Sequence, residues 1–283
     1  MGIELSVIWF VIIVFATLMY IVMDGFDLGI GMLFGTVRGS TERDVMVNSV
    51  APVWDGNETW LVLGGAGLFG AFPLAYAVII DALSIPLTLM LIGLIFRGVA
   101  FEFRFQATPS HRPFWDRAFF GGSLLATFSQ GVVVGAVING FPVSGRSFSG
   151  GMFDWLTPFS LFCGLGLCVA YALLGATWLV MKSEGALQQR MRELTRKVLL
   201  ALMVVIAVVS VWTPLGWRYV AERWFTLPNF FWFVPVPILV LALSLWIWRL
   251  SARPASHARP FILTLGLIFL GFSGLGISVW PNI

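Results

Sequence analysis

Two short segments hold the residues of this chain best suited to acid–base chemistry, DGFD at 24–27 and WDGNETW at 54–60. Asp24, Asp27, Asp55 and Glu58 can each take up and release a proton, and they stand in sequence that is otherwise mostly apolar. On a helix, Asp24 and Asp27 lie three apart and share a face. Two readings of DGFD are open. In one the acids end the first helix and are wetted by the cytoplasm. In the other, one of them faces the protein interior and passes protons, although an ionised group at mid-bilayer costs at least ~2.5–3.5 kcal/mol. WDGNETW also has two readings. Asp55 followed three residues later by Glu58, just before an apolar run, is a capping-box pattern, and carboxylates suit the positive end of a helix dipole. A cap at the mouth of a proton path serves both roles. Arg97 and Glu102 flank GVAF at the end of a later apolar run. Arg97 lies inside that run, so it needs a partner or must snorkel. Asp27, Asp55 and Glu102 are the candidate partners, and the pair is either structural or functional.

Other chemistry finds little support. The only histidines, His111 and His257, fall in polar connections. A bundle that holds heme or copper offers imidazoles within its helices, so no cofactor or metal is expected on this chain alone. Cys163 and Cys168 are five apart, about 140° around a helix, which predicts two small packing residues and neither a shared metal nor a disulfide. No P-loop, dinucleotide fingerprint or nucleophile elbow is present.

The elements that must position the acids are membrane helices. Of the 283 residues, 59% are hydrophobic and 11% charged, against roughly 25% charged in an ordinary soluble domain. Eight apolar segments are long enough to span, at about 5–23, 59–80, 83–101, 118–138, 158–181, 198–217, 230–248 and 261–280. In lipid the backbone must satisfy itself, which predicts an all-α polytopic bundle. The first segment lacks a basic flank and a cleavage site, so it is read as a span and not as a signal. With the first connection inside, fourteen of the seventeen basic residues fall inside, and only Arg146, Arg218 and Arg223 outside. The positive-inside rule then places the amino terminus outside. It also makes the net charge of +3 a topology signal and not a nucleic-acid surface. Most tryptophans, among them Trp54, Trp60, Trp155, Trp217 and Trp280, fall near predicted helix ends, as interfacial anchors do. The chain is read as one integral-membrane domain, 1–283. A faint echo between LGGAGLFGAFP (63–73) and LGFSGLGISVWP (270–281) suggests two similar halves, about 1–140 and 155–283. Residues alone leave two function classes: an acid-site membrane transporter or channel, and a proton-handling or packing subunit of a larger complex. The charges gather at the inside margin of the first three spans and are nearly absent from the rest, which favours the subunit.

DGFDLGIG, NSVAPVWDGNETWLVLGGAGLFGAFP, FRGVAFEFR, LTPFSLFCGLGLCVAYALLGATWL and the closing GLGISVWPNI together resemble subunit II of cytochrome bd-type quinol oxidases, along the whole chain. The resemblance implies a complex in the bacterial cytoplasmic (inner) membrane that oxidises quinol and reduces oxygen to water, with electrogenic proton uptake. It implies a partner, subunit I, carrying two b-type hemes, one d-type heme and the quinol site, with this chain inactive on its own. A small single-helix subunit, membrane lipid and quinone are further partners to expect. The positions that match the family's acidic motifs are Asp27 and Asp55, with Asp24 and Glu58 beside them, and Arg97 and Glu102 match the polar end of the third predicted helix. The expectation is that Asp55 and Asp27 relay protons from the inside while Arg97 orients their carboxylates, with Glu102 a further proton-path candidate. Family members usually continue past WPN with a polar outer loop and a ninth helix; here the sequence stops at Ile283, so either it is truncated or this member is short, and the ninth helix is absent from it.

Overall fold

A computed structural model describes residues 4–253 and 256–279. Its elements are helices throughout, apart from one small hairpin. They run α1 (Leu5–Leu33), a 3-10 turn (Phe34–Thr36), α2 (Ser40–Asn48), α3 (Trp54–Ala71), α4 (Pro73–Ala82), α5 (Ser84–Gln106) and α6 (Arg112–Asn139). After the hairpin β1 (Val143–Ser144) and β2 (Ser147–Phe148) come α7 (Pro158–Lys182), α8 (Gly185–Gly216), α9 (Arg218–Phe225), α10 (Asn229–Phe233), α11 (Pro235–Ser251) and α12 (Arg259–Val279). The hairpin falls in the Gly- and Ser-rich connection and turns at Gly145, whose φ of +64° suits glycine.

The all-α membrane fold class holds, with one correction to the count. Seven described helices are long and apolar enough to cross a membrane, where eight were expected. The span expected at 59–80 is not one helix. Phe72 leaves helical geometry at φ −134°, ψ 61°, immediately before Pro73, and the segment divides into α3 and α4. Proline lacks the amide a continuing helix needs, and it starts a new helix well. The first part also begins earlier, at Trp54, so WDGNETW forms the first two turns of α3 and lowers its mean hydropathy. Trp280 lies outside the described residues.

The helices cluster into two units, Met1–Tyr171 and Ala172–Ile283. In the first, α1 packs on α3 and α6, and α5 lies along α6. The α5–α6 contact is backbone on backbone. A Cβ on Gly93 would meet Ala126 N at 2.6 Å, and one on Gly122 would meet Gly93 O at 2.6 Å and Arg97 N at 2.8 Å. Small residues drive close approach where lipid removes the hydrophobic force between helices. In the second unit, α8 is laced to the α11–α12 turn by Arg192, which donates to the carbonyls of Arg253 and Ser256 at 2.9 Å each. Arg196 lies over the Trp248 ring at 4.2 Å.

Neighbouring glycines should therefore respond in opposite senses. Gly122→Ala should lower stability by about 1–3 kcal/mol, as overpacking does. Gly121→Ala, whose Cβ meets nothing within 4 Å, should be neutral or stabilise by roughly 0.5–1 kcal/mol. Thermal unfolding of the purified protein in detergent compares the two.

Candidate functional site

The site is built where α1, α3 and α5 meet. Because α1 continues to Leu33, DGFD lies within the helix and not at its end, and Asp24 and Asp27 are both 0% exposed. Their shared face turns toward α5, which presents Arg97, also 0% exposed. The Arg97 guanidinium pairs with Asp24 through Nη2. The same nitrogen lies 3.6 Å from Asp27 Oδ2, and Nη1 lies 3.2 Å from Glu58 Oε2. Asn57 Nδ2 donates to Asp27 Oδ2 at 2.8 Å and to the Met23 carbonyl at 3.3 Å, which ties α3 to α1. Arg97 also lies 5.5 Å from the Trp54 ring and 5.6 Å from the Phe101 ring, and these two rings stack at 5.1 Å and 7°. One buried cation is thus held by carboxylates and aromatic faces together. Glu58 alone of the three carboxylates reaches solvent, with 27% of its side chain exposed.

The capping-box expectation fails at α3. The residue before the helix is Val53, no side chain caps it, and the Asn57 amide is taken by the Val53 carbonyl at 3.0 Å. Freed from capping, Glu58 turns to Arg97. Asp55 is in the first turn but exposed, and among the described ion pairs it has none. The reason is helical geometry. Residues two apart point to nearly opposite sides, so once Asn57 faces α1, Asp55 faces away. Glu102 is exposed as well, because five residues from Arg97 is about 140° around α5. Of the expected residues, Asp24, Asp27, Glu58 and Arg97 are brought together; Asp55 stands at the outer flank and Glu102 stands apart. Asn57 was missed, although it sits inside the motif that drew notice. Trp54, read as an anchor, packs on the cation.

A second ion network was not foreseen. Arg104 bonds Asp44 and Asp116 at 2.7 Å each, and Arg43 bonds Asp116 at 2.7 Å and the Val37 carbonyl at 2.8 Å. It joins α2, α5 and α6. Between the two networks lie three rings, none more than 2% exposed: Phe34, Phe101 and Phe119. Phe101 meets Phe119 at 4.8 Å and Phe119 meets Phe34 at 5.0 Å, both edge to face. Arg43 and Arg104 each lie 5.3 Å from the Phe34 ring on the far side. The spacing of Arg97, Phe101 and Arg104 along one face of α5 carried this signal.

The two histidines lie at helix approaches. His111 precedes α6, exposed, with Nδ1 2.8 Å from Thr108 Oγ1. His257 lies in the turn before α12, exposed, 3.1 Å from Gln188 Nε2.

Removing the cation should be costly. Arg97→Met leaves buried carboxylates without a partner and should destabilise the protein by about 3–5 kcal/mol. Glu58→Gln, at the exposed end, should cost no more than about 1 kcal/mol. Thermal unfolding in detergent distinguishes them, and equal losses would refute the buried-cation account.

Comparison with known proteins places the chain. Residues 5–283 match the family model described as cytochrome bd terminal oxidase subunit II. The probable cytochrome oxidase subunit 2 of Haemophilus influenzae is 33% identical, over 74% of this chain and 57% of its own length. The cytochrome bd-I ubiquinol oxidase subunit 2 of Escherichia coli K12 is 34% identical, over 75% of this chain and 58% of its own. The cytochrome bd ubiquinol oxidase subunit 2 of Bacillus subtilis is 30% identical, over 70% and 60%. The matches thus cover less than two thirds of these relatives' length. A solved structure, bd oxidase from Geobacillus thermodenitrificans, superposes with a TM-score of 0.81 at 19% identity, covering 99% of this chain and 86% of that one, and so shares the fold. The seven apolar helices and these matches make the chain a multi-pass membrane protein, and it belongs to the cytochrome bd terminal oxidase subunit II family.

Proposed function

We propose that this chain is the non-heme subunit of a bacterial quinol oxidase of the inner membrane, and that its α1–α3–α5 junction carries protons. The family match and the names of the relatives support the first part. The partner would be a larger subunit I holding two b-type hemes and one d-type heme, where quinol is oxidised and oxygen is reduced to water. That group set supplies the electron chemistry, and this chain's residues handle protons.

One observation carries the proton reading. Three carboxyls, Asp24, Asp27 and Glu58, surround a single guanidinium. Buried charge without a counter-charge is expensive, so the imbalance is relieved by a proton on a carboxyl, and that proton is exchangeable where the cluster meets water. Glu58 gives that contact, and Asp55 stands on the same flank. Protons would pass from Asp55 and Glu58 to Asp27, with Arg97 holding the carboxyls within reach of one another. Glu102, exposed on α5, is an outer collector at most. In this reading the fourteen basic residues mark the cytoplasmic side and the amino terminus is outside. A transporter is the less economical reading, because none of the comparisons points to one.

The first test is to tag the chain and purify it from native membranes in mild detergent. Quinol-driven oxygen uptake, with heme in a larger co-purifying subunit, is expected; a heme-free chain that purifies alone would oppose the oxidase reading. In the assembled complex, Asp27→Asn should lower proton uptake by about tenfold or more, the lower range for a lost acid–base group being ~10²-fold when no bypass exists. Asp55→Asn should lower it less, since Glu58 shares its flank. Full turnover and full proton uptake in both variants would end the relay idea.

A further inference from the structure

A buried hydrogen-bonded row lies behind the carboxylates, within the first unit. Gln130 on α6 donates from Nε2 to the Tyr20 oxygen at 2.7 Å, and the Tyr171 hydroxyl on α7 donates to Gln130 Oε1 at 3.2 Å. None of the three is more than 8% exposed. The directions matter. Tyr171 donates into the amide oxygen, so the amide NH2 is the end that faces Tyr20. A phenol whose oxygen already accepts has its own proton left to give. One turn along α1 from Tyr20 is Asp24, at the i, i+4 spacing that makes helix side chains neighbours, and both are buried. Asp24 Oδ1 is taken by Arg97, while Oδ2 has no hydrogen-bond partner.

Asp27 is placed differently. Its Oδ2 accepts from Asn57, Arg97 stands off at 3.6 Å, and its Oδ1 has no hydrogen-bond partner. The charged and titratable groups around the pair are Arg97 from α5, Glu58 from α3 and Tyr20 from α1, with Tyr171 of α7 behind Gln130 and Asp55 beyond Glu58 on the outer flank. We propose that Tyr20, set by Gln130 and Tyr171, is a positioning residue that donates to Asp24. Asp24 is then the standing counter-ion of Arg97, and Asp27 is the carboxyl that takes and gives the exchangeable proton. A donor on a carboxylate favours its charged form, and a charge-assisted bond is about twice as strong as a neutral one. Asp24 has two such donors in this arrangement. Asp27 has a neutral amide and a longer ion pair. Only a proton moves, onto and off the Asp27 carboxylate. This assignment rests on the relay reading above and divides its labour.

The test uses the assembled oxidase. Tyr20→Phe, Tyr171→Phe, Asp24→Asn and Asp27→Asn are compared by infrared difference spectroscopy of protonated carboxyls and by electrometric proton uptake, with heme content as the check on assembly. The unsubstituted complex should show one carboxyl band that disappears in Asp27→Asn. Tyr20→Phe should add a second band as Asp24 begins to share the proton, and should slow uptake about tenfold, as for one lost bond to a charged group. Tyr171→Phe should give a weaker version of the same change. A band removed by Asp24→Asn and kept in Asp27→Asn would overturn the assignment, and so would Tyr20→Phe with unchanged band and uptake. If Asp24→Asn does not assemble, the two tyrosine variants decide. Unaltered uptake in Asp27→Asn would instead overturn the relay, whatever the tyrosines show.

Discussion

A fully buried guanidinium is the constraint on which the first half of this chain depends. Arg97 cannot be left alone in an apolar bundle, so three helices are committed to it. From α1 come Asp24 and Asp27, from α3 Glu58, Asn57 and Trp54, and α5 supplies Arg97 itself with Phe101 beneath it. Each helix has other packing available to it. What fixes their rotation about their own axes is the requirement that these side chains converge. The same requirement explains why polar residues occur in α3 at all, since its first turns would otherwise resemble any other apolar span.

Convergence also needs a floor of known height. The cation's backbone is set by the glycine contact between α5 and α6, where Gly93 and Gly122 bring the two main chains together and Gly122 lies against the Arg97 amide. A larger residue there would push α5 outward and carry the guanidinium from its carboxylates. Packing and electrostatics therefore meet at one residue pair, and neither is separable from the other in this part of the fold.

The amino-acid sequence made the fold class plain, because a chain so apolar must satisfy its backbone within helices. It also made the DGFD face plain, because spacing of three on a helix has one geometric outcome. It pointed to Arg97 for the same reason: a cation inside an apolar run needs company. Other features were illegible from spacing. Asp55 and Glu58 fit a capping pattern, and only the start of α3 at Trp54 shows that no cap forms. Whether Asp55 or Asn57 faces α1 is a matter of helix rotation, which tertiary contact decides. The Arg43, Asp44, Arg104 and Asp116 network joins residues up to 73 apart in the chain, beyond the reach of any local rule. Gln130 and the two tyrosines carry no local spacing signal, and their link appears only when α1, α6 and α7 are packed.

The three phenyl rings between the ion networks give the cluster a direction. Phe34, Phe101 and Phe119 stand buried and edge to face between the Arg97 cluster and the Arg104 network. The cluster is bounded by rings on that side, and its exposed member is Glu58 on α3. An ion cluster exposed through a single side chain is sensitive to its surroundings at one point: whatever environment Glu58 meets is felt by the buried cation it pairs with.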